Sequence, residues 1–156
     1  MFSSCERYRY TLWRQWSAGD RTCAFIGLNP STATDDLDDP TIRRCVGYAQ
    51  TWGFDRLLML NLFAWRATLP AAMKRQKSVA VGPQNNAWIR QLALTSQLVV
   101  AAWGNHGKFR DRDAEVRGLL VKDGVRLTYL RLTGSGNPEH PLYLPKELVP
   151  VPWEEA

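Results

Sequence analysis

The chain has 156 residues, 45% of them hydrophobic, enough for one domain that buries roughly 70% of its unfolded surface without metals or disulfides. Its three cysteines, Cys5, Cys23 and Cys45, show neither the C-x-x-C nor the Cys/His spacing of a zinc site, so free thiols in a reducing cytosol are expected, with no metal and no cofactor. Twenty basic against 15 acidic residues leave a charge of +5, which favours polyanionic partners, while no apolar run approaches the roughly 20 residues that span a bilayer.

The N-terminal stretch, with Glu6 and several arginines, lacks the apolar centre of a signal peptide; the expectation is a cytoplasmic protein with no membrane and no obligatory protein partner. Residues 8–12 offer an antiparallel edge strand. The apolar run 22–28 (TCAFIGL) ends at Gly27 and Asn29-Pro30, as a buried strand does when it leaves a sheet through a turn. Asp39 can then cap a helix with Pro40 at its first position. Ile42, Cys45, Val46, Ala49 and Trp52 follow at helical spacing as one apolar stripe, and Gly53 ends it. Residues 57–63 (LLMLNLF) form a second core strand interrupted by Asn61, and Thr68-Leu69-Pro70 opens a short helical segment holding Met73. Gly82-Pro83 starts a helix to about Thr95 that buries Trp88, Ile89 and Leu92. A third strand spans 98–103 and halts at Gly104-Asn105. Phe109, Val116, Leu119 and Leu120 mark an amphipathic helix, with Lys108, Arg110, Arg112 and Arg117 on one helical stretch. Residues 125–132 alternate as a fourth strand, and from about 145 a proline-rich segment reads as a surface tail.

This alternation predicts a single α/β domain over residues 1–156: a three-layer α/β/α arrangement around a central four-stranded parallel sheet, since parallel strands need right-handed helical crossovers. In such sheets ligands bind outside the carboxyl ends of the strands, which is where the polar and turn residues of this sequence fall. Asn29-Pro30-Ser31-Thr32 is either ordinary turn chemistry or an amide and a hydroxyl holding a water or ligand. Asn61 sits among six large apolar neighbours, where an unpaired carboxamide costs roughly 1–3 kcal/mol. It either bonds a neighbouring loop or presents donor and acceptor side by side to a base edge. His140 follows the polar loop at 133–139 and is the best candidate acid, base or oxyanion stabiliser, with His106 as its rival. Trp65 and Trp103 fall near the same edge and could stack a base, though core packing is the usual role of tryptophan.

Several chemistries are poorly supported. Gly134-Ser135-Gly136 has no Walker lysine, and no G-x-G-x-x-G opens a helix after the first strand. Ser31 lacks a G-x-S-x-G elbow. The aspartates Asp35, Asp36, Asp38 and Asp39 lack EF-hand spacing and read as a solvated loop plus helix cap. Arg43, Arg44, Lys108 and Arg110 are the candidate phosphate or nucleic-acid contacts.

Four fragments in order, Gly27-Leu28-Asn29-Pro30, Leu58-Met59-Leu60-Asn61, Val99-Val100-Ala101-Ala102-Trp103-Gly104 and His140-Pro141-Leu142-Tyr143, resemble the motifs of the uracil-DNA glycosylase superfamily. The resemblance implies that superfamily's fold, with Asn29 orienting a water, Asn61 reading the base and His140 bonding the carbonyl on which charge accumulates. A nucleic acid or nucleotide-like ligand is the implied partner, and a flipped-out nucleotide is implied for duplex substrates. Ser31 stands where a thymine-excluding tyrosine is expected, and His-Pro-Leu-Tyr replaces His-Pro-Ser-Pro, which removes hydroxyl contacts to phosphate. With Asn-Pro-Ser-Thr-Ala, Asp-Asp-Pro-Thr and Val-Gly-Pro-x-Asn added, the pattern is also similar to a family of bacterial and phage proteins of unknown function. The expectation is N-glycosidic hydrolysis of a base in DNA, a nucleotide or a nucleoside; the alternative is a non-catalytic nucleic-acid or nucleobase-binding module.

Overall fold

The computed structural model of the chain describes every residue except Thr32, Asp35, Asp36, Glu155 and Ala156. In chain order its elements are β1 (Leu12–Gln15), β2 (Thr22–Gly27), α1 (Pro40–Thr51), β3 (Arg56–Asn61), α2 (Pro70–Lys74), α3 (Asn85–Leu94), β4 (Leu98–Ala101), α4 (Arg112–Lys122), β5 (Leu127–Tyr129) and β6 (Val151–Pro152), with 3-10 segments at Lys77–Val81, Asn105–Asp111 and Pro141–Tyr143. The apolar run of β2, buried on both faces, lies at the centre of a sheet ordered β1-β3-β2-β4-β5-β6. β2 pairs in parallel with β3 and with β4, and β4 with β5. These four strands are the parallel centre that the alternation predicts. Antiparallel β1 and β6 flank it, so the whole sheet is six-stranded and mixed rather than purely parallel.

Right-handed crossover decides where the helices go. The connection from β2 to β3 runs one way along the sheet, and those from β3 to β4 and from β4 to β5 run the other way, so they cover opposite faces. Phe25, Leu57, Met59 and Val100 accordingly pack against Ile42, Cys45, Tyr48 and Ala49 of α1. Ala24, Ile26, Leu58, Leu60 and Val99 pack on the other face with Met73 of α2, Ile89 and Ala93 of α3, and Val116 and Leu120 of α4. α1 starts as its sequence dictates: Pro40 occupies the first turn, and the Asp39 carboxylate accepts the Ile42 N–H at 2.9 Å. Such a cap is worth about 1 kcal/mol.

The second and third core strands end two residues early, at Asn61 and Ala101, α3 starts at Asn85 rather than at Gly82-Pro83, and four larger differences from expectation follow. The edge strand is at Leu12–Gln15, not residues 8–12, because Leu12 points into the core and Trp13 outward, in register with Met59 and Leu58. Tyr8 makes only a single bridge, to Trp65. β5 is confined to Leu127–Tyr129, opposite the three β4 residues that can pair with it. The C-terminal segment is not a surface tail. Val151 and Pro152 pair with β5 as an edge strand, the one place in a sheet that tolerates proline. Leu144 and Leu148 pack on the α1 side, and Trp153 meets Trp103 at 5.8 Å and takes the Arg117 guanidinium at 3.7 Å. Finally, the helix expected through Phe109 breaks there: Phe109 has ψ 123°, and Arg110 and Asp111 have φ of 55° and 54°. Lys108 and Arg110 therefore precede α4 and do not share a helical stretch with Arg112. Arg112 itself is 1% exposed, donating to the Leu62 carbonyl and to Glu115 at 2.8 Å each.

Among the described residues no helix is long and apolar enough to cross a membrane.

Candidate functional site

Between β2 and β4 the chain connections leave in opposite directions, which opens a crevice at the carboxyl ends of the strands. A cavity of about 630 Å³ lies there, lined from Gly27 at the end of β2 and Leu28 and Asn29 after it, from Asn61 at the end of β3, from Ala102 to His106 after β4, and from the loop carrying His140. Its size falls within the range of small-molecule sites.

Each segment is pinned by backbone bonds. Phe63 N–H donates to the Leu28 carbonyl and Ala67 N–H to that of Pro30, which extends the β2–β3 pairing past the sheet. The Asn29 amide nitrogen donates to the carbonyls of Ala67 at 2.9 Å and Pro30 at 3.2 Å. Both of its hydrogens are engaged, so Oδ1 is the atom left for a water or ligand. The loop at 133–139 folds on itself through Thr133 N–H to the Asn137 carbonyl, and Gly104 N–H donates to the Pro138 carbonyl. Asn105 Oδ1 accepts from Thr133 Oγ1 at 2.7 Å and from Asn137 Nδ2 at 2.8 Å. His140 follows directly and caps the Pro141–Tyr143 turn, its Nδ1 accepting the Leu142 N–H at 3.2 Å. With Nδ1 an acceptor, the neutral ring carries its proton on Nε2 as a donor.

Asn61 is the most telling residue. It is 3% exposed, lines the cavity, and its Nδ2 meets no hydrogen-bond partner among the described residues. Its backbone is held from behind: buried Asn85, at the start of α3, donates Nδ2 to the Asn61 carbonyl at 2.9 Å and to the Leu62 carbonyl at 3.0 Å, and Arg112 adds a second bond to Leu62. Gly27 makes room for the side chain, since a Cβ there would lie 2.9 Å from Asn61 Oδ1.

The family described as "Protein of unknown function (DUF1643)" matches residues 9–142. The chain belongs to this family. No curated protein and no solved structure matches it. The family match contains every cavity-lining residue except Tyr143.

Of the sequence-predicted site residues, the structure brings Asn29, Ser31, Asn61, Trp103 and His140 to this one cavity, and the rival His106 to its rim. Trp103 is 1% exposed and its indole lies against Gly107, where a Cβ would come within 2.2 Å; it is core wall rather than a free stacking face. Trp65 is elsewhere. After β3 the chain pairs Ala64 and Trp65 with Val81 and Ala80, which turns the indole onto Tyr8 at 5.6 Å. Arg43 and Arg44 line a separate groove along α1, donating to the carbonyls of Asp38 and Leu142. Lys108 lies 3.7 Å from Asp113 and Arg110 is exposed, neither of them on the cavity wall.

Two charged residues, Asp39 and Arg9, line the wall in places the sequence did not indicate. Asp39, 9% exposed, accepts from Ser31 Oγ at 3.0 Å as well as capping α1. Arg9, 2% exposed, donates to the Ala33 carbonyl at 2.9 Å. The signal for Arg9 was an arginine between two tyrosines in an otherwise burying segment. Burial lowers the His140 pKa below its ordinary value, and the Asp39 carboxylate partly offsets this. At neutral pH the ring is therefore a neutral donor. Of the acidic cluster, Asp35 and Asp36 lie outside the described residues, Asp38 pairs with Arg14 at 2.5 Å, and Asp39 is the cap. Among the described residues no three His, Cys, Asp or Glu side chains gather as a metal site would need.

Proposed function

We propose that the cavity holds a nucleobase-bearing ligand and that the protein hydrolyses its N-glycosidic bond on a uracil-DNA-glycosylase-like framework. The observation that carries this reading is the meeting of Asn29, Asn61 and His140, distant in the chain, around one cavity, with a buried Asn61 Nδ2 that has no hydrogen-bond partner among the described residues. In the reaction the C1′–N bond breaks, its electron pair leaves on the base, a water oxygen bonds C1′, and the water's proton passes to base or solvent. Asn61 offers the amide to a base edge. The Nε2–H of His140 donates to the carbonyl on which negative charge grows, and Asn29 Oδ1 accepts from the attacking water. A preorganised neutral donor of this kind contributes on the order of 3–4 kcal/mol to transition-state stabilisation.

A second reading, base binding without hydrolysis, is favoured by one observation: Asn29 is a carboxamide, and both oxygens of Asp39 already accept bonds from Ser31 and Ile42. Chromatographic assay of free base from uracil-containing single-stranded and duplex oligonucleotides and from the nucleoside separates the two. Hydrolysis predicts release that Asn29→Ala or His140→Ala abolishes with the fold retained. Binding without release selects the second reading, and neither binding nor release removes both.

A further inference from the structure

His106 of the cavity lining is paired with a second basic group, Lys74, just outside it, and the hydrolysis scheme uses neither. Lys74, the last residue of α2, places Nζ 2.9 Å from Nδ1 of His106, and His106 lines the cavity after β4. An ammonium can only donate, so His106 Nδ1 accepts and the ring is neutral in this pair. Nothing neutralises the lysine. Asp113 pairs with Lys108, Glu115 with Arg112 and Glu139 with Arg131, and among the described residues no carboxylate lies within ion-pair distance of Lys74. Lys74 as a residue is half-buried, its contact with His106 is open to solvent, and its ammonium sits 5.7 Å from the centre of the Phe109 ring. Asn105, beside His106, is locked by Thr133 and Asn137, so this part of the wall is fixed in place before any ligand arrives.

We propose that Lys74 and His106 form an anion subsite at the cavity rim that takes a phosphate group borne by the ligand, making the preferred substrate class phosphorylated nucleosides rather than bare nucleosides or free bases. The nucleoside half of this rests on the base-binding reading; the phosphate half stands by itself. Phosphate oxygens accept from the ammonium and, once His106 takes a proton from solvent, from the imidazolium as well. Burial and the adjacent Lys74 charge both hold the His106 pKa below its ordinary value, and an anion between the two groups reverses the second effect. The phosphate has two sources, a free mononucleotide or an internal phosphate of a strand.

The chain has two histidines, so imidazole proton resonances give a direct readout, assigned with His106→Gln and His140→Gln. Titrated with inorganic phosphate against chloride at equal ionic strength, His106 should rise in pKa by about 1 unit while His140 stays in place, and Lys74→Met should remove the phosphate response with the circular dichroism spectrum unchanged. A His106 that ignores phosphate, a parallel shift of both rings, or a response that persists in both Lys74→Met and Lys74→Gln overturns the subsite. Calorimetry then compares a nucleoside, its 5′-monophosphate and a short single-stranded oligonucleotide. The monophosphate or the strand should bind at least about tenfold more tightly than the nucleoside, with that gain lost in Lys74→Met; whichever binds better identifies the source of the phosphate. Equal affinities for all three overturn the assignment of substrate class. A phosphate response without binding of any of the three leaves the subsite standing and removes the nucleobase reading.

Discussion

Replacing Asn61 by leucine should make the protein more stable and unable to bind its ligand. The carboxamide is 3% exposed, on the sheet face of Met59 and against Gly27, and its Nδ2 has no partner among the described residues. An unsatisfied buried polar group costs about 1–3 kcal/mol, and an apolar side chain of similar shape removes that cost. For a chain of this size each kcal/mol corresponds to roughly 2–4 °C in Tm. Urea unfolding of Asn61→Leu should therefore show a higher midpoint with an unchanged slope, and base binding should be lost. A stabilised but inactive variant is the signature of a residue kept for function at the expense of folding energy. If Asn61→Leu is instead destabilised by more than about 1 kcal/mol, the amide is meeting a structural demand, and the reasoning that makes it the ligand-reading group fails.

Gly27→Ala places a methyl 2.9 Å from Asn61 Oδ1, so it should weaken ligand binding and lower stability by about 1–2 kcal/mol. Gly47→Ala, in α1 with nothing within 4 Å of the new methyl, should stabilise by about 0.5–1 kcal/mol and leave binding alone. Burial lowers the pKa of both His140 and His106 in the folded state, so the unfolded chain binds more protons in the window just below the ordinary histidine value. The contribution of the two rings is full above about pH 6.5 and declines as pH falls through that window; urea midpoints at about pH 7.5 and 5.5 should differ, and less so in the double variant His106→Gln/His140→Gln. Cys23 and Cys45 are buried with their thiols pushed up by desolvation, whereas Cys5 is exposed and its thiol is lowered by the Ser3 hydroxyl. A thiol reagent should label Cys5 alone in the native protein and all three after unfolding; early labelling of Cys45 would contradict the packing of α1 on the sheet.

The parts of the structure legible in the sequence are those fixed locally. Asp39-Pro40 sets the start of α1, and the run from Thr22 to Gly27 can only be a strand buried on both faces. Asn61 stood out because an amide inside an apolar strand needs a reason. What escaped was set by partners far along the chain. Val151 and Pro152 look unsuited to a sheet until Tyr129 and Thr128 present a free edge. Trp65 follows Asn61 closely in sequence, yet pairing with Ala80 and Tyr8 takes it out of the site. Lys108 and Arg110 fit a helical pattern, but the chain turns at Phe109 so that Arg112 can reach the Leu62 carbonyl. Arg9 belongs to the cavity wall through a bond to the Ala33 carbonyl, a partner 24 residues further on.

The place of β2 at the middle of the sheet also bears on how the cleft comes into being. One side of β2 is closed by β3, near in sequence, but the other waits for β4; the bond from Thr22 N–H to the Gln97 side chain closes a loop 75 residues apart. Closing so long a loop is entropically slow relative to local pairing. The seam between β2 and β4, and the cleft with it, is thus expected to form late in folding. A ligand seated there should leave the folding rate nearly untouched and act as a latch, slowing the escape from the native state.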